Sequence, residues 1–488
     1  MANLQKEKEL ETKLKQIREQ ELKQRGIETG KPSAPFSPSQ KNQTAPDGAR
    51  EVKLGQIELG SQKIERLEKE IGNLSELKDK IAKIATTETL ELLFAGAISG
   101  RASDIHLEPE EKNIRLRFRI DGVLEDILDL NKNEYPAILN RIKLTAGLKI
   151  NVHDAPQDGR FTLRRNWTDK TDESNWPDIE VRVSVLPGAF GESIVMRLLD
   201  PRTLKKNLEE LGMRENILEE VKKQLKKTTG AILTTGPTGS GKTTTLYAFV
   251  NFVNKPGVKI VTIEDPIEYH IEGISQTQVE PEKGYGFSNG LRSIVRQDPD
   301  VILVGEIMDS ETAEVAMHAA LTGHLVFTTL HTNDAAGTIS RLIDIGTKPQ
   351  VIAPAINLIM AQRLVRKLCQ ECRKKTKATT EESEKIKNIL KTYWTDKTDE
   401  SNWPDKLEVY RARGCEKCNF SGYRDRLGIF EAFAVDEEIE KIILKSPSIS
   451  EVRDVLRKKG FMTMVQDAYL KVLEGVTDIK EVERVLGQ

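Results

Sequence analysis

From residue 86 onward the chain switches between two hydrophobic periods. Ile114, Leu116, Phe118 and Ile120 alternate with Arg115, Arg117 and Arg119, the period-two pattern of a half-buried strand. Asp121-Gly122 then supplies a tight turn, and Val123 to Leu130 returns as the second arm of a hairpin. Leu90–Ile98 and Arg141–Ile150 read as amphipathic helices. Gln157-Asp158-Gly159-Arg160 reads as a turn into a strand from Phe161, with Ile179–Val185 as its partner. Past Leu211 the pattern changes. Short apolar runs at Ala231–Leu233, Lys259–Ile263, Val301–Val304 and Leu325–Leu330 alternate with helical stretches such as Leu246–Val250 and Ser310–Leu321. Strands alternating with helices predict a parallel α/β sheet. Asp436–Leu444, Ser450–Lys459 and Met462–Leu473 predict helices that close the chain.

The first 85 residues differ. Residues 1 to about 25 have few apolar positions. Lys31–Ala49 carries Pro32, Pro35, Pro38 and Pro46 among polar residues, a linker composition. Ile64, Leu67, Ile71, Leu74, Leu77 and Ile81 form a narrow helical stripe. A second oddity lies further on. The string Trp167–Asp178 recurs unchanged as Trp394–Asp405, and the two copies hold all four tryptophans. Both are polar and acidic and fall where connections are expected, so they read as insertions tolerated in surface loops.

Composition narrows the classes. Lys plus Arg number 74 against 76 Asp plus Glu, which gives no overall basic signal for nucleic acid. No apolar run is long enough to span a bilayer, and the polar start lacks the apolar core of a signal peptide, so a cytoplasmic location is expected.

The strongest chemistry lies at Gly236-Pro237-Thr238-Gly239-Ser240-Gly241-Lys242-Thr243, followed by Thr244. This is the phosphate-binding pattern G-x-x-x-x-G-K-[ST], between a strand and a helix. The glycines let successive amides converge on an anion, the helix adds its positive end, and Lys242 adds a point charge. The Thr243 hydroxyl is the candidate Mg²⁺ ligand. An NTP is therefore the expected ligand. Hydrolysis further needs an activated water and cationic cover. Val301–Glu306 resembles a Walker B strand with Gly305 in place of its usual aspartate. Glu306 is the first candidate for activating water, with Glu264 and Glu268 as alternatives. His331, at another strand end, is a candidate γ-phosphate sensor. Arg292 and Arg296 are candidate phosphate contacts, as is the arginine face of the first hairpin.

The four cysteines are paired as Cys369-x-x-Cys372 and Cys415-x-x-Cys418. Two such turns make a tetrahedral thiolate site, and a structural Zn²⁺ is expected there.

These motifs come together with Ala102–Pro109, Arg119-Ile120-Asp121-Gly122, Pro156–Arg160, Ile263–Pro266 and Thr322-Gly323-His324 through His331. In that order the chain resembles the secretion ATPase superfamily, in particular type IV pilus assembly and type II secretion ATPases. The resemblance covers residue 86 to the end. It implies a small α/β domain (86–205) after the N-terminal region (1–85). A RecA-like P-loop ATPase domain (206–488) would follow, containing a zinc subdomain (366–425) and C-terminal helices (430–488). It implies a homo-hexamer in which Arg117, Arg119, Arg292 and Arg296 approach phosphate. The ring would hydrolyse ATP to move an inner-membrane platform protein and so build a pilus or pseudopilus. It would sit at the cytoplasmic face of the inner membrane, held there by its partners, without direct nucleic-acid binding. A retraction motor is the nearest rival, but such chains usually lack the cysteine pairs; a nucleic-acid-translocating ring is another.

Overall fold

A computed structural model describes residues 55–60, 86–166, 178–201, 205–394 and 407–487. The expectations for 1–54 and 61–85 lie outside these residues, as do the two acidic copies apart from Asp178 and Trp394.

The first sheet has seven strands. They are β1 (Gln56–Gly60), β2 (Ala102–Pro109), β3 (Asn113–Ile120), β4 (Val123–Asn131), β5 (Gln157–Asn166), β6 (Ile179–Gly188) and β7 (Gly191–Leu199). Their spatial order is β1-β5-β6-β7-β2-β3-β4, with only the β1–β5 pair parallel. The alternation of β3 is realised: Ile114, Leu116 and Phe118 are fully buried. They pack with Leu93 and Phe94 of the helix Thr86–Ser99 and Ile138 and Ile142 of the helix Tyr135–Thr145. The hairpin turn at Asp121-Gly122 has both residues at positive φ, 48° and 85°, as a type I′ turn requires.

Two local expectations are corrected. The second helix spans Tyr135–Thr145 rather than Arg141–Ile150, because Pro136 fits its first turn and Gly147, at φ 72°, lies just past its end. Gln157–Arg160 is strand, not turn. Gly159 is needed there because an added Cβ would lie 2.4 Å from the Ala146 carbonyl oxygen.

The second sheet is built from β8 (Gly230–Thr235), β9 (Ile260–Glu264), β10 (Ser275–Gln278), β11 (Val301–Val304), β12 (Leu325–Leu330), β13 (Ile356–Leu368) and, after the two-stranded β14 (Lys374–Lys377) and β15 (Glu408–Arg411), β16 (Tyr423–Ala434). Its order is β10-β9-β11-β12-β8-β13-β16, parallel except for β16, which runs antiparallel to β13. The chain is a mixed α/β protein, as its pattern predicts. Strands buried on both faces read as continuous apolar runs. Within β8, Leu233 packs with the helices Phe287–Val295 and Ser310–Leu321 on one face. Ile232 packs with the helices Glu215–Leu225 and Lys242–Val253 on the other. Helices at Glu437–Ile443, Ile449–Lys458, Met464–Leu473 and Ile479–Leu486 close the chain; the last is not among those expected from the pattern. No helix among the described residues is long and apolar enough to cross a membrane.

Candidate functional site

The carboxyl ends of β8, β9, β11 and β12 carry the predicted chemistry side by side. The parallel register puts Thr235 beside Leu330 and Val304 beside Ile263, so the loops leaving these strands emerge at one edge. That edge is where ligands sit in open parallel sheets. Thr235 Oγ1 donates to Leu330 O at 3.0 Å and accepts from Thr332 N at 2.8 Å, locking the ends of β8 and β12 together.

The phosphate-loop pattern folds as its glycines predict. Gly239 and Gly241 have φ of 77° and 91°, the left-handed region. Pro237, Thr238 and Gly239 are exposed, so the crest of the loop is open to solvent, and Thr243 is exposed beside it. Lys242 opens the following helix, and its Nζ donates to Gly236 O at 2.8 Å and Pro237 O at 3.2 Å. Burial lowers its pKa to about 8; the Glu306 carboxylate opposes that shift and Arg363 adds to it.

Glu306 follows β11 and lies 3.2 Å from His331 Nε2, through its Oε2. The two candidates are thus an acid–imidazole pair, and Glu306 is close enough to Lys242 to raise its proton affinity. Gly305 stands at the position of the usual Walker B aspartate, where an added Cβ would meet the Glu264 Cα at ordinary van der Waals distance, 3.4 Å.

Glu264 is 3% exposed. Its carboxylate accepts from the Tyr247 hydroxyl, from Thr262 Oγ1 at 2.5 Å and from Gln276 Nε2 at 3.2 Å. Burial pushes its pKa up, and these donors pull it back. Tyr247, five residues after Lys242 on the same helix, also accepts from Glu268 N at 3.3 Å. Glu268 is drawn elsewhere: Arg182 of β6 lies 3.1 Å from its Oε2 and donates to Ile267 O at 2.6 Å. A strand of the first sheet therefore grips the loop after β9.

The four candidate arginines are held by local partners. Arg117 pairs with Glu108 and Arg119 with Asp104, the latter at 3.3 Å. Arg292 pairs with Glu311 at 2.9 Å, and Arg296 donates to Ser293 Oγ at 3.2 Å. None of the four bonds to residues 236–244 among the described residues.

The cysteines do converge. Cys369 Sγ lies 3.9 Å from Cys415 Sγ, and Cys418 Sγ lies 3.8 Å from both Cys372 Sγ and Cys415 Sγ. A tetrahedron with metal–sulfur bonds of about 2.3 Å has edges of about 3.8 Å. The four sulfurs therefore fit a tetrahedral zinc ion. The amides of Cys415 and Gly422 donate to Cys418 Sγ at 3.2 and 3.3 Å, as outer partners of a thiolate ligand do. Among the described residues this is the one such cluster.

Sequence reasoning missed Gln362, Tyr247 and Arg182. Tyr247 falls within a helix expected from its pattern, but its partner Glu264 is 17 residues away. Gln362 and Arg182 lie in strands with no local signal for a distant contact.

The chain resembles known proteins over most of its length. Residues 80–484 match the family model described as Type II/IV secretion system protein. The chain is 42% identical over 419 residues to the Type II secretion system protein E of Dickeya dadantii, covering 86% of this chain and 79% of that one. It is 38% identical over 422 residues to the Type IV pilus assembly ATPase PilB of Myxococcus xanthus, covering 86% and 71%. Among solved structures, the pilus retraction motor PilT with bound ADP superposes with a TM-score of 0.51 at 25% identity, over 80% of this chain and 94% of that one. The ATPase DotB of Legionella pneumophila, at 21% identity and a TM-score of 0.58 over 82% and 96%, shares the fold. A match across four fifths of the chain, with the phosphate loop and the carboxylate-bearing strand ends inside it, places this protein in the type II/IV secretion system protein family.

Proposed function

We propose that the protein is an ATP-hydrolysing motor that drives assembly of a type IV pilus or a type II secretion pseudopilus. The observation that carries this is the Lys242–Glu306–His331 arrangement: a phosphate loop whose lysine feels the charge of a carboxylate already paired with an imidazole. The amides of Gly239–Thr243 and the Lys242 ammonium would bind the β- and γ-phosphates. Thr243 would hold Mg²⁺, which supplies charge neutralisation on the phosphate oxygens. Glu306 would orient and deprotonate the attacking water, and His331 would hold Glu306 and report the γ-phosphate. Glu264, fixed by three donors, is the alternative base; Glu268 is the third carboxylate at that edge.

Arg117, Arg119, Arg292 and Arg296 would reach phosphate only after one sheet domain moves on the other or from a neighbouring copy. This is consistent with a homo-hexamer whose strokes move an inner-membrane platform protein from the cytoplasmic side. Relatives named as type II secretion and pilus assembly proteins support that reading. The tetracysteine cluster favours assembly over retraction. Zn²⁺ held by Cys369, Cys372, Cys415 and Cys418 would be structural, since all four sites are taken by sulfur.

The test is phosphate release by the parent, Lys242→Ala and Glu306→Gln proteins. The expected result is turnover in the parent alone, with Glu306→Gln still binding ATP. A parent no faster than its variants defeats the proposal, and marked stimulation by DNA would favour a translocase.

A further inference from the structure

The phosphate loop is braced from outside as well as by its own Lys242. Strand β13 runs beside β8 with Met360 opposite Thr234 and Ala361 opposite Thr235. The next residue, Gln362, therefore arrives where β8 gives way to the loop. It is 1% exposed, a buried amide with four hydrogen-bonding positions to satisfy. Its Oε1 accepts from Thr245 Oγ1 at 2.9 Å, and its Nε2 donates to Ser240 O at 2.8 Å. The carbonyl of Ser240 can only accept, which fixes which end of the amide faces it.

Both ends of the loop close on this one residue. An added Cβ at Gly236 would lie 2.6 Å from the Gln362 carbonyl oxygen, and one at Gly241 would lie 3.1 Å from its Nε2. Two glycines of the phosphate-binding pattern thus answer to the approach of β13 as well as to positive φ. The geometry of the peptide then gives Gln362 a directional role. In a trans peptide the C=O and the following N–H point in opposite directions. Tying the Ser240 carbonyl toward β13 aims the Gly241 amide away from β13, to the open side of the loop. Holding Thr245 pins the first turn of the helix whose positive end completes the cradle.

We propose that Gln362 is a positioning residue for phosphate binding: by clamping the Ser240 carbonyl and the Thr245 hydroxyl it pre-orients the loop amides. It touches no reacting atom. The proposal rests on the ATPase reading above and adds a residue outside the phosphate-loop pattern. Pre-orientation acts on affinity, because a loop that must reorganise on binding loses binding energy.

The experiment compares Gln362→Met, which keeps volume but removes both hydrogen bonds, with Thr245→Val, which removes one. ATP affinity is read with a fluorescent ATP analogue, kcat and KM from phosphate release, and folding from the melting temperature without nucleotide. Losing buried hydrogen bonds of this kind corresponds to a weakening of about 10-fold for Gln362→Met and less for Thr245→Val. The expected result is that KM and the dissociation constant rise together, with kcat less affected and the nucleotide-free melting temperature lowered by only a few degrees, the cost of two lost hydrogen bonds in a cooperatively folded chain. The double variant should be no weaker than Gln362→Met, since both act on one clamp. Parent-like affinity in Gln362→Met overturns the proposal. Should that variant fail to fold, Thr245→Val decides: weakened affinity supports the clamp, and unchanged affinity overturns it. Failure of the parent itself to bind ATP would instead defeat the ATPase reading.

Discussion

Arg182, on a strand of the first sheet, lies 3.1 Å from the Glu268 carboxylate, in the loop that leaves β9 of the second. The pair is about three-quarters buried on both sides and is backed by the Arg182 bond to Ile267 O. It makes the loop after β9 sensitive to the position of the first sheet. In a double-mutant cycle of Arg182→Ala and Glu268→Gln, the coupling energy should be about 0.5–3 kcal/mol, the range for residues in contact. Denaturant unfolding of the four proteins measures it, and additive effects would show the contact to be energetically idle.

The Glu306–His331 pair predicts a split between binding and turnover. His331→Ala leaves the loop amides and Lys242 in place, so ATP affinity should stay within a few-fold of the parent. Turnover should fall by about 10²-fold, the lower range for losing a group that assists proton transfer. A loss of affinity with turnover unchanged would assign His331 to substrate binding instead.

Lys242 sets a pH limit on substrate capture. Burial brings its pKa to about 8, so in the free protein its charge fades as pH rises through that value. kcat/KM, which reports the free enzyme, should decline above about pH 8. Bound phosphate favours the charged form, so kcat should hold to higher pH. The stability sign is the reverse. Between pH 8 and the ordinary lysine value of 10.5 the unfolded chain binds more protons at this site, so folding stability from Lys242 rises with pH there.

Metal removal should separate the two chemistries. Elemental analysis should find about one zinc per chain, and chelation or Cys415→Ser should lower the melting temperature, since such sites add roughly 10–16 kcal/mol of apparent binding energy. Protein purified without chelator but free of zinc would remove the claim.

Much of the fold and the site is legible in the chain because the decisive signals are local. The phosphate loop, the runs at Val301–Val304 and Leu325–Leu330 and the helix Ser310–Leu321 stand where the periodicity puts them. Cys369-x-x-Cys372 and Cys415-x-x-Cys418 meet because paired turns announce a shared ligand. The signals that escape are non-local. β13 and β16 pair across more than 50 residues, and nothing near Ile356 or Tyr423 signals that a parallel sheet will be extended by an antiparallel strand. Gln362 reads as an ordinary polar residue until Ser240 and Thr245 are placed beside it. The arginines of β3 are legible as one face, but Glu108 and Asp104, which hold Arg117 and Arg119, come from the neighbouring strand of the sheet.

The buried charges at the far margin of the second sheet have a separate consequence. β16 is the last strand, and its outward Phe430 amide donates to Asp467 Oδ2 at 2.8 Å while Lys471 Nζ donates to the outward Gly428 carbonyl at 2.8 Å. Asp467 and Lys471, themselves 2.7 Å apart, act as end stops for the ladder. At the opposite margin β10 has only four residues, all polar. With one border plugged and the other cut short, this sheet offers little to a strand from another molecule. Copies that gather into a larger body must therefore meet this sheet by shape and charge rather than by adding a strand to it.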